Sequence, residues 1–118
     1  MTARRRTYVE RVPLPPTAKY VLPVAAMERI LAATCRYYEV EPHHVLSDSR
    51  LPEHVLPRHV VLYLCVRAGA TLQAAGRLLG RDHSTVNHAL RRVEGAMNRD
   101  PLIAQDIADL SRSQEVAA

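Results

Sequence analysis

Tryptophan and phenylalanine are absent from the 118 residues, and of five tyrosines only Tyr37 and Tyr38 are neighbours. Proteins that stack single-stranded bases need aromatics spread along a groove, so this pair reads as packing residues. Cysteine is equally scarce. Cys35 and Cys65 form no C-x-x-C pair, each falls on an apolar helical stripe, and both are read as reduced core residues. The four glycines, at 69, 76, 80 and 95, are scattered, no G-x-x-x-x-G-K-[ST] loop occurs, and Lys19 is the only lysine. ATP binding is therefore not expected, and no cofactor is. No apolar run approaches a membrane span, and no hydrophobic segment follows Arg4-Arg5-Arg6 as a secretory leader would require. A cytoplasmic, nucleoid-associated protein without membrane contact is expected. Strand-like alternation is also missing.

What is present is helical periodicity and an uneven charge. The length suits one domain with a modest core. The net charge of +4 divides sharply along the chain. Residues 1–23 carry five basic residues against one acid, and residues 24–49 carry two against four. Residues 50–92 carry seven against two, and residues 93–118 two against five. The excess of the folded part thus falls between 50 and 92, the distribution a groove binder needs, with an acidic C-terminal helix turned away. An ordinary solvated surface would explain the charge alone equally well.

Taken in order, residues 1–23 have four prolines and no helical period, and are expected to be a flexible basic arm. Met27, Ile30, Leu31, Thr34, Cys35 and Tyr38 give one apolar face, a first helix over 24–38. Glu41-Pro42 fits an N-cap and first position for a short helix through Leu46, and residues 47–53 read as a loop. A central helix is predicted over 57–68, with Pro57 first, Gly69 at its stop, and Val61, Leu64, Cys65 and Ala68 buried. Thr71 to Leu79 reads as a short capped helix stopped by Gly80. A helix from about His83 follows, then a last one opened by Asp100-Pro101, closing a folded domain over 24–112 with a frayed tail at 113–118. The fold expected is all-α, five or six helices.

The stretch 80–94, GRDHSTVNHALRRVE, carries the most polar detail. Val86, Ala89, Leu90 and Val93 recur at i, i+3, i+4 and i+7, a buried stripe. Ser84, Thr85, His88, Arg91 and Arg92 occupy the other side. Asp82 stands at the N-cap, so His83, Ser84 and Thr85 flank a helix start whose free amides attract phosphate. With the short helix before it this is a helix-turn-helix, the second helix of which enters a major groove. Enzyme chemistry does not fit. Asp82, His83 and Ser84 are consecutive and point about 100° apart around a helix, so they cannot form a hydrolase relay. His83 and His88 are five apart, off ligand spacing, and His43-His44 lacks a cysteine or acid to complete a metal site.

The residues Arg81-Asp82-His83-Ser84-Thr85-Val86, His88-Ala89 and Arg92-Val93-Glu94 resemble the signature of the C-terminal DNA-binding domain of DnaA, the bacterial chromosomal replication initiator. The segment 56–64 resembles the family's preceding helix start, and 40–50 the entry to its basic loop. The resemblance covers about Val24 to Leu110 and implies a Trp-repressor-like helix-turn-helix on duplex DNA, at boxes of the type 5′-TTATNCACA-3′. It further implies base or phosphate contacts for Arg58, His83, Ser84 and Thr85, a turn-setting role for Arg81 and Asp82, and a minor-groove role for Arg50. His59 stands where the family usually has glutamine, and Ser84 where threonine is frequent. The neighbours of Arg50 are Asp48, Ser49, Leu51, Pro52 and Glu53, so most of the family's loop charge is missing, at about one unit of salt slope per lost phosphate contact. The DNA-contacting set expected is Arg50, Arg58, His59, Arg81, Asp82, His83, Ser84, Thr85, His88 and Arg91. Two functions follow: a DNA-binding regulator of replication initiation without an ATPase domain, or a protein-interaction regulator docking DnaA or its inactivating factor through the basic arm.

Overall fold

In the computed structural model, residues 22–117 are described and contain six helices: α1 Val24–Tyr38, α2 Pro42–Leu46, α3 Pro52–Arg67, α4 Leu72–Leu79, α5 His83–Arg99 and α6 Pro101–Ala117. No strand occurs among these residues. The basic arm expected over 1–23 lies outside them apart from Leu22 and Pro23, and Leu22 is already buried in the core.

Helix α3 is the hub, packed against each of the other five. Val60, Val61, Leu62, Tyr63, Leu64 and Cys65 are all buried, a run that covers the whole circumference rather than one stripe. A helix apolar all round belongs in the middle of a domain. The predicted Ala68 is not part of this surface: it is the exposed C-cap of α3, beyond the packed turns. Cys35 and Cys65 are free and buried, and burial pushes the Cys65 thiol up to about 12.

The start of α3 differs from the sequence expectation. The helix opens at Pro52, with Leu51 as N-cap, so the loop is shorter and Pro57 lies inside the helix. Both prolines are compatible with a first helical position, and only Pro52 takes it. Pro57 removes one bond to the carbonyl four residues back, but its ring is fully buried. That extra turn carries Glu53, His54 and Val55 into the helix, and His54 becomes a buried contact for the loop before it.

Local signals place the remaining ends. Thr71 accepts the Ala74 amide at 3.0 Å to cap α4. Gly80 closes it in the left-handed region, φ 69°, which glycine adopts without strain. Asp100 accepts the Leu102 amide at 2.9 Å at the start of α6. Helix α6 is assigned over Pro101–Ala117. Tyr37 and Tyr38 clamp α1 to α6: Tyr37 donates to Asp106 at 2.8 Å and Tyr38 to the other oxygen of the same carboxylate at 2.8 Å. They are structural tyrosines, as expected. No helix among the described residues is long and apolar enough to cross a membrane.

Candidate nucleic-acid interface

Helices α4 and α5 form the hairpin, and its geometry rests on a close approach. A Cβ built on Gly76 would lie 2.3 Å from the carbonyl oxygen of Arg81 and 3.2 Å from a methyl of Val86. Only glycine lets α4 run this near the turn, and the Gly76 carbonyl accepts the Arg81 amide at 2.7 Å. Asp82 then accepts the Thr85 amide at 2.8 Å, and this bond to the carboxylate holds Asp82 below its usual range. The first turn of α5 is thereby fixed, and His83, Ser84 and Thr85 are all exposed.

Helix geometry splits the exposed side of α5 into two lines. Positions 85, 88 and 92 are related by i+3 and i+7 and form one edge; 84 and 91, seven apart, form another about 100° away. The first edge faces a cleft of about 600 Å³ whose opposite wall is the 48–50 loop and the start of α3. Thr85, His88 and Arg92 line it from α5, Arg58 and His59 from α3, and Arg50 from the loop. Arg81 enters from the turn and Asp48 from the loop, so four arginines meet one aspartate. A cleft with that balance attracts polyanions. His83, Ser84 and Arg91 do not line it; they stand exposed on the outer edge of the same helix.

Not every arginine here is free. Arg58 is 7% exposed, and its guanidinium donates from Nε to the Val45 carbonyl at 2.7 Å and from its two terminal nitrogens to Ser49 at 2.9 Å and His44 at 3.1 Å. Arg58, expected in the DNA-contacting set, lines the cleft while its planar donor fork is bonded to three backbone carbonyls. Arg81 does likewise, donating to the carbonyls of Leu79 at 3.0 Å and Ser47 at 2.5 Å, with the Asp48 carboxylate 3.6 Å away. Arg50 and Arg92, by contrast, are exposed.

His59 is half-buried in the cleft, and its pKa is pushed down to about 4 by burial first and then by the positive field of Arg92 and Arg58. It stays neutral at ordinary pH, able to donate one N–H and accept at the other nitrogen. Nearby, His44 is stacked at 4.3 Å on His54 and lies 4.1 Å from His43. Loss of solvation, then the two neighbouring rings, lowers its pKa too. No group of three histidine, cysteine or acidic side chains converges as metal ligands would among the described residues.

Arg92 lies on the polar side of α5 but outside the contact set expected from the sequence. Its spacing of four from His88 and seven from Thr85 was the available signal.

Comparison with known proteins bears on this geometry. The chain is 36% identical over 91 residues to the chromosomal replication initiator protein DnaA of Ruegeria sp. (strain TM1040), and 35% identical over 91 residues to that of Jannaschia sp. (strain CCS1). Each match covers 75% of this chain and 19% of the relative. DnaA 1 of Chlamydia trachomatis is 38% identical over 72 residues, 60% of this chain and 16% of that protein. The chain therefore spans about a fifth or less of these curated relatives. Among solved structures, one titled as the crystal structure of a DNA replication initiation factor superposes with a TM-score of 0.69 at 29% identity, over 76% of this chain and 28% of that one. Residues 27–93, from α1 into the fourth turn of α5, match the family described as the bacterial dnaA protein helix-turn-helix, and the chain belongs to that family.

Proposed function

We propose that the domain binds duplex DNA, with the first turn of α5 in the major groove and the sugar-phosphate backbone seated along the cleft toward Arg50. The observation that carries this reading is the cationic cleft, four arginines against one aspartate, lying beside an exposed helix start. His83 and Thr85 suit base edges: a ring nitrogen for a hydrogen bond, and a hydroxyl with a methyl that packs on the thymine C5 methyl. Arg50, Arg92 and Arg91 supply phosphate or groove contacts, and neutral His59 a hydrogen bond within the cleft. On this reading the protein regulates replication initiation at DnaA-box-like sites.

The test is a titration of labelled box and scrambled duplexes over a range of salt. A box preference that persists as salt rises, with log affinity falling linearly in log salt, is the expected result. Equal affinity for both duplexes removes sequence-specific readout and leaves a phosphate binder.

A second reading is favoured by one observation. Arg58 and Arg81 are committed to backbone carbonyls, so the freely charged surface is smaller than a count of arginines implies. The domain would then act chiefly on DnaA or a DnaA-regulating protein and touch DNA weakly. Capture of purified DnaA with no duplex shift at moderate salt distinguishes this case.

A further inference from the structure

The loop over residues 47–51 has few charges but an unusual density of bonds. Ser47 Oγ donates to the His44 carbonyl at 2.7 Å and accepts the Ser49 amide at 3.1 Å. Ser49 Oγ accepts the Leu51 amide at 3.2 Å and lies 2.7 Å from Nδ1 of His54. From beneath, Arg58 holds the carbonyls of His44, Val45 and Ser49, and Arg81 holds that of Ser47. The amides and carbonyls of Ser49 and Leu51, on either side of Arg50, thus all have partners, while the Arg50 side chain stays exposed at the cleft.

We infer that Arg58 is a positioning residue: it acts on DNA through Arg50, by holding the loop backbone in the binding conformation before DNA arrives. The inference rests on the DNA-binding reading and adds to it a division of labour between two arginines eight positions apart. A long side chain displayed on a mobile loop loses conformational freedom on binding, whereas one on a fixed loop has less to lose. Fixing the loop therefore offsets part of what its missing charges would have contributed. Three parallel demands select arginine at 58: three carbonyls at different angles, a charge that is always present, and a planar fork that reaches them together. Lysine supplies the charge as a point and cannot span all three.

The test uses the full chain in three forms, wild type, Arg58→Ala and Arg58→Lys, with Arg50→Ala as reference. Amide hydrogen exchange without DNA reads the loop. The Ser49 and Leu51 amides should exchange at least about tenfold faster in both Arg58 variants while the Ala89 amide in α5 does not change. Unchanged loop amides overturn the inference, as does equal acceleration everywhere in Arg58→Lys, the milder variant. Box-duplex titration over salt reads the consequence. Arg58→Ala should weaken binding about tenfold with the salt slope kept, whereas Arg50→Ala should lower the slope by about one. Arg58→Ala added to Arg50→Ala should cost little more, since its effect runs through the missing side chain. A slope reduced by about one in Arg58→Ala alone identifies a direct phosphate contact and overturns the inference. Absence of any duplex binding by the wild type removes the DNA reading, and with it the action through Arg50; exchange then still decides whether Arg58 fixes the loop.

Discussion

The 48–50 loop and Thr85 in the first turn of α5 line the same cleft, yet the two elements are held in place by different means. The α5 turn is built locally: Asp82 caps the amide three residues on, and the stripe of Val86, Ala89 and Val93 buries the inner face. The loop adds to its local Ser47 and Ser49 hydroxyl bonds a grip from a distance, by Arg58 reaching back to Ser49 and Arg81 reaching back to Ser47. One wall owes its shape to neighbours in sequence, the other also to neighbours in space. Arginine can therefore serve on both sides of the same cleft, as strut or as contact, and only the nearby carbonyls decide which.

The largest expected effect breaks the independence of the two walls. Gly76→Ala drives a Cβ against the Arg81 carbonyl, so the α4–α5 turn must shift, and Arg81 carries the loop with it. Destabilisation of about 1–3 kcal/mol is expected, from overpacking where the neighbour is backbone. Urea denaturation measures it, and a neutral result would show that the close approach is relaxed at little cost.

Changes confined to the α5 wall should leave the fold alone. His83→Ala and Thr85→Ala are each expected to weaken specific duplex binding by about 1–3 kcal/mol, with thermal stability kept and binding to scrambled DNA barely altered. Side chains at the same helix start that read no base would show no difference between the two duplexes.

Arg92→Ala sharpens the comparison from the α5 side of the cleft. Its guanidinium is exposed, so its loss should lower the salt slope by about one without affecting the fold. Matching behaviour in Arg92→Ala and Arg58→Ala would erase the distinction between contact and strut.

The smallest effect is on pH dependence. His59 is held near 4, below its ordinary 6.5, so between these values the unfolded chain takes up a proton that the folded chain refuses. The stability linked to His59 is fully present above about pH 6.5 and is lost as pH falls toward 4. His59→Gln should flatten denaturation midpoints over that window relative to wild type. Parallel midpoint curves for the two proteins would contradict the burial of His59 beside Arg92.

The same contrast explains what could be read from the sequence. Caps and stripes are short-range patterns, which is why the α1, α2, α4 and α5 boundaries, Thr71, Gly80, Asp82 and the helix-turn-helix were legible. The start of α3 was not: Pro57 satisfies the local signal for a first helical position, but the helix opens at Pro52 and the Pro57 ring is buried inside it. The role of Arg58 was illegible, because no periodicity reveals that three carbonyls from residues 44, 45 and 49 converge on it. Gly76 was similar: its necessity comes from a backbone segment five residues later in the chain, folded back upon it.

The most direct test of the central claim is a map of which backbone amides respond when a box duplex is added to isotopically labelled protein. The account predicts shifts concentrated at Ser49 to Leu51, His83 to Thr85, His88 and Arg92, with the Tyr37, Tyr38 and Asp106 clamp silent. Shifts centred on that α1–α6 clamp, with the cleft unmoved, would contradict it.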